Sequence, residues 1–132
     1  MKIEKKNLGK PDETRSFDKG KIEVLKFDDK TIACATFEPG WRWSTSMKAL
    51  VGTESCEIAH YGVILSGRIH IRANDGTEQE FGKGDVALVP PGHDAWTLGN
   101  EPCVWLELNA GEQYATDARE QPKEEEERPA VH

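Results

Sequence analysis

Apolar and polar residues alternate along much of the chain from Lys21 onward, which is typical of β-strands with one buried face. The first two alternating runs are separated by the turn residues Asp28 and Asp29, and Pro39-Gly40 closes the second run. This order predicts a strand, a turn and a second strand, and a further strand is expected to start at Trp41. The apolar positions of the two runs are Ile22, Val24 and Leu25, then Ile32, Ala33, Ala35 and Phe37.

The middle of the chain predicts several more short strands separated by turns. Ser66-Gly67 and Asp75-Gly76 supply the positive-φ positions that tight hairpins need. The run 86–89 is wholly apolar, which favours a strand covered on both faces. Short strands at such regular spacing are typical of a β-sandwich or barrel. The predicted strands span 58–65, 68–73, 78–81, 86–89, 96–98 and 103–108, and one candidate helix spans 113–119.

The two ends of the chain differ in composition from the middle. Residues 1–20 are rich in charge, Gly and Pro, and they are expected to form an irregular lead-in with at most one short edge strand. Residues 112–132 include the run Glu124 to Glu127, which repels itself and offers little to bury. This acidic tail is expected to be disordered, and one all-β barrel domain is expected over residues 21–111.

Length and composition restrict the class of protein. The 132 residues suffice for one domain, and the net charge of −7 argues against a nucleic-acid partner. No apolar run approaches the roughly 20 residues that cross a bilayer, so no membrane partner is expected. Cys34, Cys56 and Cys103 cannot all pair within one molecule, and no leading basic and apolar segment suggests export. A reducing, cytoplasmic location is therefore expected.

Two segments resemble the conserved motifs of the cupin superfamily. Residues 84–92, GDVALVPPG, resemble the second cupin motif, in which a glycine is followed five residues later by Pro-x-Gly. Residues 39–43, PGWRW, and the hairpin around Gly67 resemble the first motif. The resemblance implies a double-stranded β-helix, that is, a jelly-roll barrel with a pocket for a small molecule. Cupins include oxygenases, isomerases, sensors and storage proteins, so the fold does not name the activity.

The resemblance also implies a metal centre made of a His-x-His pair, a Glu and a third His, from which this chain departs. Counting along the motifs places Ser46 and Lys48 at the His pair, His60 at the Glu position and Ala95 at the last His. Only His60 among these four is a competent ligand at neutral pH. A degenerate metal site is therefore expected.

His93 keeps a metal site possible, because it lies two residues before Ala95 and follows a Pro-Gly turn. A mixed site of His60, His93 and one more residue would supply the three protein ligands of a catalytic Zn or non-haem Fe centre, with Mn or Ni as further candidates. The candidates for the third ligand are Cys56, Glu57 and Asp94. The alternative is that both histidines are structural, and the spacing favours that interpretation.

The expected pocket is cationic. If residues 41–48 form a strand with positions 46 and 48 facing inward, Arg42 faces inward too. Lys48 would then stand near the place of the metal, and the barrel would bind a small anionic molecule. The alternative is that both cations lie on a solvated face. The candidate ligand-binding residues are Arg42, Ser46, Lys48, His60, His93 and Trp96.

The same strand parity turns Trp41 and Trp43 away from the barrel. A homodimer interface, or the chain's own N-terminal strands, would have to cover them. Trp105 is expected in the core, and His70 is expected on an exposed polar face with Arg68 and Arg72.

Two functions follow from these features. In the first, the barrel binds a small, anionic molecule without transforming it. In the second, the protein is a metal-dependent oxygenase or isomerase that uses a non-standard ligand set around His60 and His93, or acid–base chemistry by His60 with Lys48. No nucleophile with a base at motif spacing is found, which disfavours covalent hydrolysis.

Overall fold

The computed structural model describes residues 2–108 and 110. The predicted helix over 113–119 and the acidic tail over 112–132 lie outside the described residues. The described elements, in chain order, are β1 (Glu13–Phe17), β2 (Gly20–Lys26), β3 (Thr31–Phe37), α1 (Trp43–Ser46), α2 (Lys48–Val51), β4 (His60–Ser66), β5 (Arg68–Ala73), β6 (Glu78–Gly82), β7 (Val86–Val89), β8 (His93–Leu98) and β9 (Cys103–Glu107).

The strands form two antiparallel sheets, which confirms the predicted all-β barrel. The larger sheet has the order β1-β2-β3-β9-β4-β7, and the smaller has the order β6-β5-β8. Every described strand pair is antiparallel, and β4 has an irregular register between Ile64 and Ser66 where it pairs with β9. No helix in the described part of the chain is long and apolar enough to cross a membrane.

The barrel sheet begins earlier than residue 21. β1 pairs with β2 along its whole length, from Glu13 opposite Val24 to Phe17 opposite Gly20. The carboxylate of Asp12 accepts a hydrogen bond from the Lys26 backbone N–H at 2.8 Å, which fixes the entry to β1. The end of the charged lead-in therefore forms an edge strand of the larger sheet.

The core lies between the inward faces of the two sheets. Alternate residues along each strand point inward, and Trp105, as predicted, is buried among them. Its neighbours across the sheet are Ala35 on β3 and Ile64 on β4. The other buried strand residues of this cluster are Ile22, Val24, Ala33, Phe37, Ile69, Ile71, Ala87, Val89, Ala95 and Cys103.

The strand predicted from Trp41 onward is wrong, because α1 and α2 occupy this stretch. No side chain within the segment caps α1. Instead, the Asp94 carboxylate on β8 accepts a hydrogen bond from the Ser44 backbone N–H at 3.0 Å. It satisfies a donor that the first helical turn leaves open. This long-range contact has no signature in the local sequence.

The predicted outward orientation of Trp41 and Trp43 is also wrong. The two side chains are 3% and 5% exposed and belong to the core. The Trp41 ring packs on Phe37 with centroids 4.1 Å apart. Both tryptophans are therefore part of the core, and neither is available to a second subunit.

The expectation that β7 is covered on both faces is wrong as well. Ala87 and Val89 are buried, but Val86 is 65% exposed and Leu88 is 79% exposed. β7 lies at the edge of the larger sheet, and no described layer covers its outward face. β7 is therefore apolar on both faces, but one face is buried in the core and the other is exposed to solvent.

Candidate functional site

Three potential metal ligands converge inside the barrel: Cys56, His60 and His93. One ligand atom from each residue lies within 4.8 Å of the other two. The Cys56 Sγ and His60 Nε2 atoms are 3.5 Å apart, and the two imidazole centroids are 5.1 Å apart. His60 opens β4 and His93 opens β8, so the site joins the two sheets. Cys56, of the three alternatives for a third ligand, is the one that the fold brings to the histidines.

His93 is placed by the turn that precedes it. Gly92 has φ of +86°, which favours glycine, and a Cβ atom there would lie 2.9 Å from the Asn74 side-chain nitrogen. The turn aims the imidazole inward, and His93 is 3% exposed. Its Nδ1 donates to the Pro90 carbonyl at 2.9 Å, so Nε2 is the ring nitrogen available to a ligand or a metal.

Backbone pairing brings the Cys56 thiol to His93. The Cys56 N–H donates to the His93 carbonyl at 2.8 Å, and the Cys56 carbonyl accepts from Gly92 N–H at 2.7 Å. These bonds form an isolated bridge between the two residues, outside the named strands. Cys56 itself is buried. Its thiol is thus fixed by the backbone of the same turn that positions His93.

Glu107 is the residue of this site that the sequence reasoning missed. Its side chain is fully buried at the end of β9. One carboxylate oxygen lies 2.6 Å from His60 Nδ1, and the other accepts from the Tyr61 backbone N–H at 2.8 Å. A signal did exist, because Glu107 continues the inward alternation of Cys103 and Trp105. A carboxylate at a core position requires a specific partner.

The charges of this cluster favour a thiolate beside an imidazolium in the metal-free protein. Burial alone raises the pKa of the Cys56 thiol, but hydrogen bonds and charge from His60 and His93 outweigh it and lower the pKa. Burial alone lowers the pKa of His60, but Cys56 and Glu107 outweigh it and raise the pKa. Cys56 is thereby poised to act as a ligand or a nucleophile, since the thiolate is the reactive form.

The surroundings of the cluster are apolar. Apart from Glu107 and His93, Thr97 is the one buried polar residue in the described part of the chain. The Trp105 ring stands edge-on to His60 with centroids 6.0 Å apart. Partly buried hydrophobic side chains that pack against this core include Val51, Ile58 and Phe81. Charged groups inside such a wall interact strongly with one another, because little water screens them.

Arg42 and Trp96 lie apart from this cluster. Trp96 is one residue out of phase with the inward His93 and Ala95, so it faces outward on the smaller sheet. The Arg42 guanidinium lies 4.2 Å from the Trp96 ring centroid and 3.3 Å from an Asp94 oxygen. The His70 ring stacks on Trp96 with centroids 4.6 Å apart, and the Arg72 guanidinium lies 5.6 Å from the Trp96 ring centroid. His70 is thus outward-facing as predicted, but partly covered.

Lys48 and Ser46 also lie outside the barrel. Lys48 Nζ pairs with the exposed Glu54 carboxylate at 2.5 Å, and both residues border an open surface depression. The Ser46 hydroxyl lies 3.4 Å from an Asp18 oxygen. The expected cationic barrel wall is wrong, because helical geometry removes the strand parity on which it rested. Glu57 is exposed and accepts a hydrogen bond from Ser55.

Comparison with known proteins supports the fold, and a family model matches 65 of the 132 residues. The family model described as "Cupin domain" matches residues 55–119, the segment that carries Cys56, His60, His93 and Glu107. No curated protein sequence matches the chain.

Three solved structures illustrate the likeness in fold. A protein of unknown function from Rhizobium leguminosarum bv. viciae has a TM-score of 0.58 at 18% identity, over 83% of this chain and 100% of that one. A conserved protein with a double-stranded β-helix domain from Klebsiella pneumoniae has a TM-score of 0.51 at 21% identity, over 74% and 84%. A cupin-superfamily sugar phosphate isomerase from Silicibacter pomeroyi has a TM-score of 0.51 at 17% identity, over 68% and 58%.

At these identities the structural likeness concerns the fold alone. Three observations indicate the same fold. They are the matched family segment, the two antiparallel sheets and the Pro-Gly turn before β8. Residues 55–119 belong to the cupin domain family, and the described part of the chain has the cupin fold.

Proposed function

We propose that this cupin is a metal-dependent enzyme whose centre is a divalent transition-metal ion held by Cys56 Sγ, His60 Nε2 and His93 Nε2. The observation that carries the proposal is the convergence of these three ligand atoms within 4.8 Å in a buried site. Three protein ligands leave a coordination position for water or substrate, which is the pattern of catalytic sites. The sequence favoured a degenerate site, and Cys56 supplies the ligand that the motif positions lack.

The chemistry of the donors fits a metal. Two ligands of one tetrahedral ion stand about 3.5 Å apart when metal–nitrogen and metal–sulfur bonds have ordinary lengths, and Cys56 Sγ and His60 Nε2 already stand 3.5 Å apart. Each imidazole uses Nδ1 to donate to an acceptor, a Glu107 oxygen for His60 and a backbone carbonyl for His93. Metal-bound histidines generally donate from their other nitrogen in this way, which fixes the ring orientation.

The thiolate narrows the choice of metal. Thiolate and imidazole ligands suit Zn²⁺, Fe²⁺ and Ni²⁺, whereas Mn²⁺ prefers oxygen ligands. We therefore propose Zn²⁺ or Fe²⁺ ahead of Ni²⁺ and place Mn²⁺ last. When bound, such an ion supplies Lewis acidity at its open position, where it polarises a substrate oxygen or a water molecule.

The protein's own residues orient the metal ligands and exclude water from the site. Glu107 holds His60 in one tautomer, and its second oxygen is fixed by the Tyr61 N–H. The apolar side chains around the cluster keep the charged groups in a poorly screened environment. Arg42 and Lys48 lie outside this wall, so we propose a small neutral substrate with one oxygen or nitrogen donor atom in place of an anion.

The sugar phosphate substrate of the Silicibacter pomeroyi protein is not carried over to this chain. A phosphate inside the barrel would need excess positive charge or several donors to replace its water. The Cys56 thiolate and the Glu107 carboxylate beside the proposed ion balance its two charges, so the ion offers no excess positive charge to a phosphate. The buried polar and charged residues of the described part of the chain are His93, Thr97 and Glu107, and none is a lysine or arginine. An isomerase or oxygenase acting on a neutral molecule fits this wall better.

The metal ligands can be tested with Co²⁺, which gives an intense near-ultraviolet charge-transfer band only when a thiolate binds it. We expect this band in the wild type after reconstitution, and we expect Cys56→Ser to lose it. Cys34→Ser is the matched control, because Cys34 is a free, buried cysteine on β3. Failure of the wild type to bind Co²⁺, or an equal band in Cys56→Ser, would contradict the proposed ligand set.

A second candidate function is thiol-based catalysis without a metal. Cys56, His60 and Glu107 lie in the order nucleophile, base and orienting carboxylate, with separations of 3.5 Å and 2.6 Å. This order is the arrangement of nucleophilic triads. The sequence shows no nucleophile with a base at motif spacing, and these three groups come together only through the tertiary structure.

Alkylation with iodoacetamide separates the two candidates. If Cys56 is a metal ligand, Zn²⁺ at one equivalent should protect it, and a chelator should restore labelling. If Cys56 acts as a metal-free nucleophile, the protein as purified should label rapidly at Cys56, and one equivalent of Zn²⁺ should give no protection. Mass spectrometry of the labelled chain reads out both cases, with Cys34 as the internal reference.

We propose a cytoplasmic location because none of the three cysteines forms a disulfide. Cys34, Cys56 and Cys103 are all free and buried. A centre that depends on the Cys56 thiolate requires this cysteine to stay reduced, and reducing compartments provide that condition.

A further inference from the structure

The outward side of the larger sheet carries a continuous apolar surface on three adjacent strands, which we call the apolar face. β9 pairs with β4 and β4 pairs with β7, so the three strands lie side by side. Along each strand these residues alternate with inward ones. The apolar face consists of Tyr61, Val63, Leu65, Val86, Leu88, Val104, Leu106 and Leu108.

The register of the strands makes this surface contiguous. Val63 is paired with Leu106 on one side and Val86 on the other, which forms one apolar row across three strands. In the next row Tyr61 is paired with Leu88, and the Leu108 N–H donates to the Tyr61 carbonyl. Residues paired directly across antiparallel strands have side chains in contact range. The eight side chains therefore form one patch.

The patch is exposed in the described part of the chain. Leu88 is 79% exposed, Val86 is 65% exposed and Tyr61 is 49% exposed. With Leu65 and Leu108, which are also exposed, they present several hundred Å² of apolar surface. Patches of this size on monomers commonly mark an interaction site.

We propose that the apolar face is a homodimer interface, on which a second copy of this chain packs around a two-fold axis. No carboxylate, ammonium or guanidinium group belongs to the face, although the chain has a net charge of −7. Two such acidic molecules repel through most of their surfaces, and the repulsion is smallest where the charges are missing. Charged residues of the same outward side, such as Lys21 and Glu23, lie on β2, away from the face.

A second copy is the partner that this chemistry fits. A two-fold interface brings the same patch of both subunits together, so an uncharged apolar patch is complementary to itself. A stable interface takes about 800 Å² from each partner. The exposed apolar area supplies a large part of that value, and polar rim residues around it would supply the rest. A charged partner would instead require opposite charges that the face lacks.

This interface replaces the one expected from Trp41 and Trp43, which are buried in the core. It is also separate from the Cys56, His60 and His93 cluster, because His60 points inward from the strand on which Tyr61 points outward. Failure of the proposed metal centre therefore leaves this inference untouched, and the reverse holds as well.

The oligomeric state of the full chain tests the interface. We expect the wild type to show the mass of a dimer in light scattering at micromolar concentration. Leu88→Glu should shift the dimer dissociation constant at least about tenfold upward and give a monomer. The leucine side chain is 79% exposed within one subunit, so the folded monomer should tolerate the change.

Ser16→Glu is the matched control. It adds the same charge to an exposed outward position of the same sheet, on β1 at the opposite edge. It should leave the dimer intact, and circular dichroism should show that both variants are folded. A monomeric wild type would overturn the proposal and assign the face to another occupant, such as segment 111–132. Equal dimer stability in Leu88→Glu and the wild type would overturn it too.

Discussion

The Nδ1 atom of His60 lies 2.6 Å from Oε1 of Glu107, and the carboxylate is fully buried. A buried carboxylate is costly unless it is hydrogen-bonded and paired. Here both oxygens have partners, the His60 ring and the Tyr61 N–H. The pair fixes the imidazole so that Nε2 faces Cys56, which is the orientation that the proposed metal centre needs.

Replacing Glu107 with glutamine should weaken metal binding by about 10–100-fold, the usual range for a partner of a metal-bound histidine. The amide has one acceptor oxygen and one donor group, whereas the His60 and Tyr61 N–H groups both need acceptors. Competition for Zn²⁺ with a chromogenic chelator would measure the change. Glu80→Gln is the control, because Glu80 pairs with Arg68 outside the barrel. Equal affinities of Glu107→Gln and the wild type would contradict the positioning role of Glu107.

Gly62→Ala should destabilise the fold by about 1–3 kcal/mol, the range for overpacking a close-packed interior. A Cβ atom at this position would overlap the Leu106 carbonyl oxygen and would lie 2.5 Å from Trp105 Nε1. Gly82→Ala is the matched control at another strand position, where the nearest atom would be 3.6 Å away. Urea unfolding of both variants gives the comparison, and a Gly62→Ala variant as stable as Gly82→Ala would contradict this packing.

Acid should weaken the attachment of β1 through Glu13. Hydrogen bonds from Arg15 and then Lys26 lower the pKa of this carboxyl from 4.5 to about 2 in the folded protein. The folded-state pKa is the lower one, so the stabilisation is present above pH 4.5 and is lost as the pH falls towards 2.

The free energy of unfolding should therefore fall more steeply in the wild type than in Glu13→Gln over this pH window. The Glu13 side chain is 36% exposed, so solvent screening keeps the difference small. Lys26→Met removes one of the two partners and should flatten the same window in part. Parallel pH profiles for the wild type and Glu13→Gln would show that the carboxylate does not anchor β1.

Lys48→Met should leave metal affinity unchanged and alter stability by less than about 0.5 kcal/mol, as expected for an exposed ion pair. Lys48 is 41% exposed, and its partner Glu54 is 90% exposed. Thermal melts and the chelator competition check both values. A loss of metal or ligand binding in this variant would contradict this placement of Lys48 and support the cationic pocket that the sequence predicted.

The fold could be predicted from the sequence to a large extent, because strands follow from alternation and turns follow from glycine and proline. The strands that occur at or within one residue of their predicted places are β2, β3, β5, β6, β7 and β9. The helices after Trp41 could not be predicted, since the hydrogen bond that supports α1 comes from Asp94 on β8. The strand predicted in place of these helices put Arg42, Ser46 and Lys48 on one inward face. Their predicted places in the barrel were therefore wrong.

The candidate site was predicted in part. His60 could be proposed from a motif position and His93 from its place two residues before another, and Cys56 was one of three alternatives for the third ligand. The choice among them depends on the bridge between Cys56 and the turn before β8, which joins distant parts of the chain. Glu107 was visible as a charge at an inward position of β9. Its partner could not be identified without the register of β4 against β9.

The most direct test of the metal centre is the metal content of the full chain, purified without a histidine tag, saturated with Zn²⁺ and then desalted. We predict one ion per chain in the wild type and none retained in His93→Ala. His70→Ala, which removes a histidine from the outward face of the smaller sheet, should retain one ion. A wild type that retains no ion, or equal retention in His93→Ala and the wild type, would contradict the account.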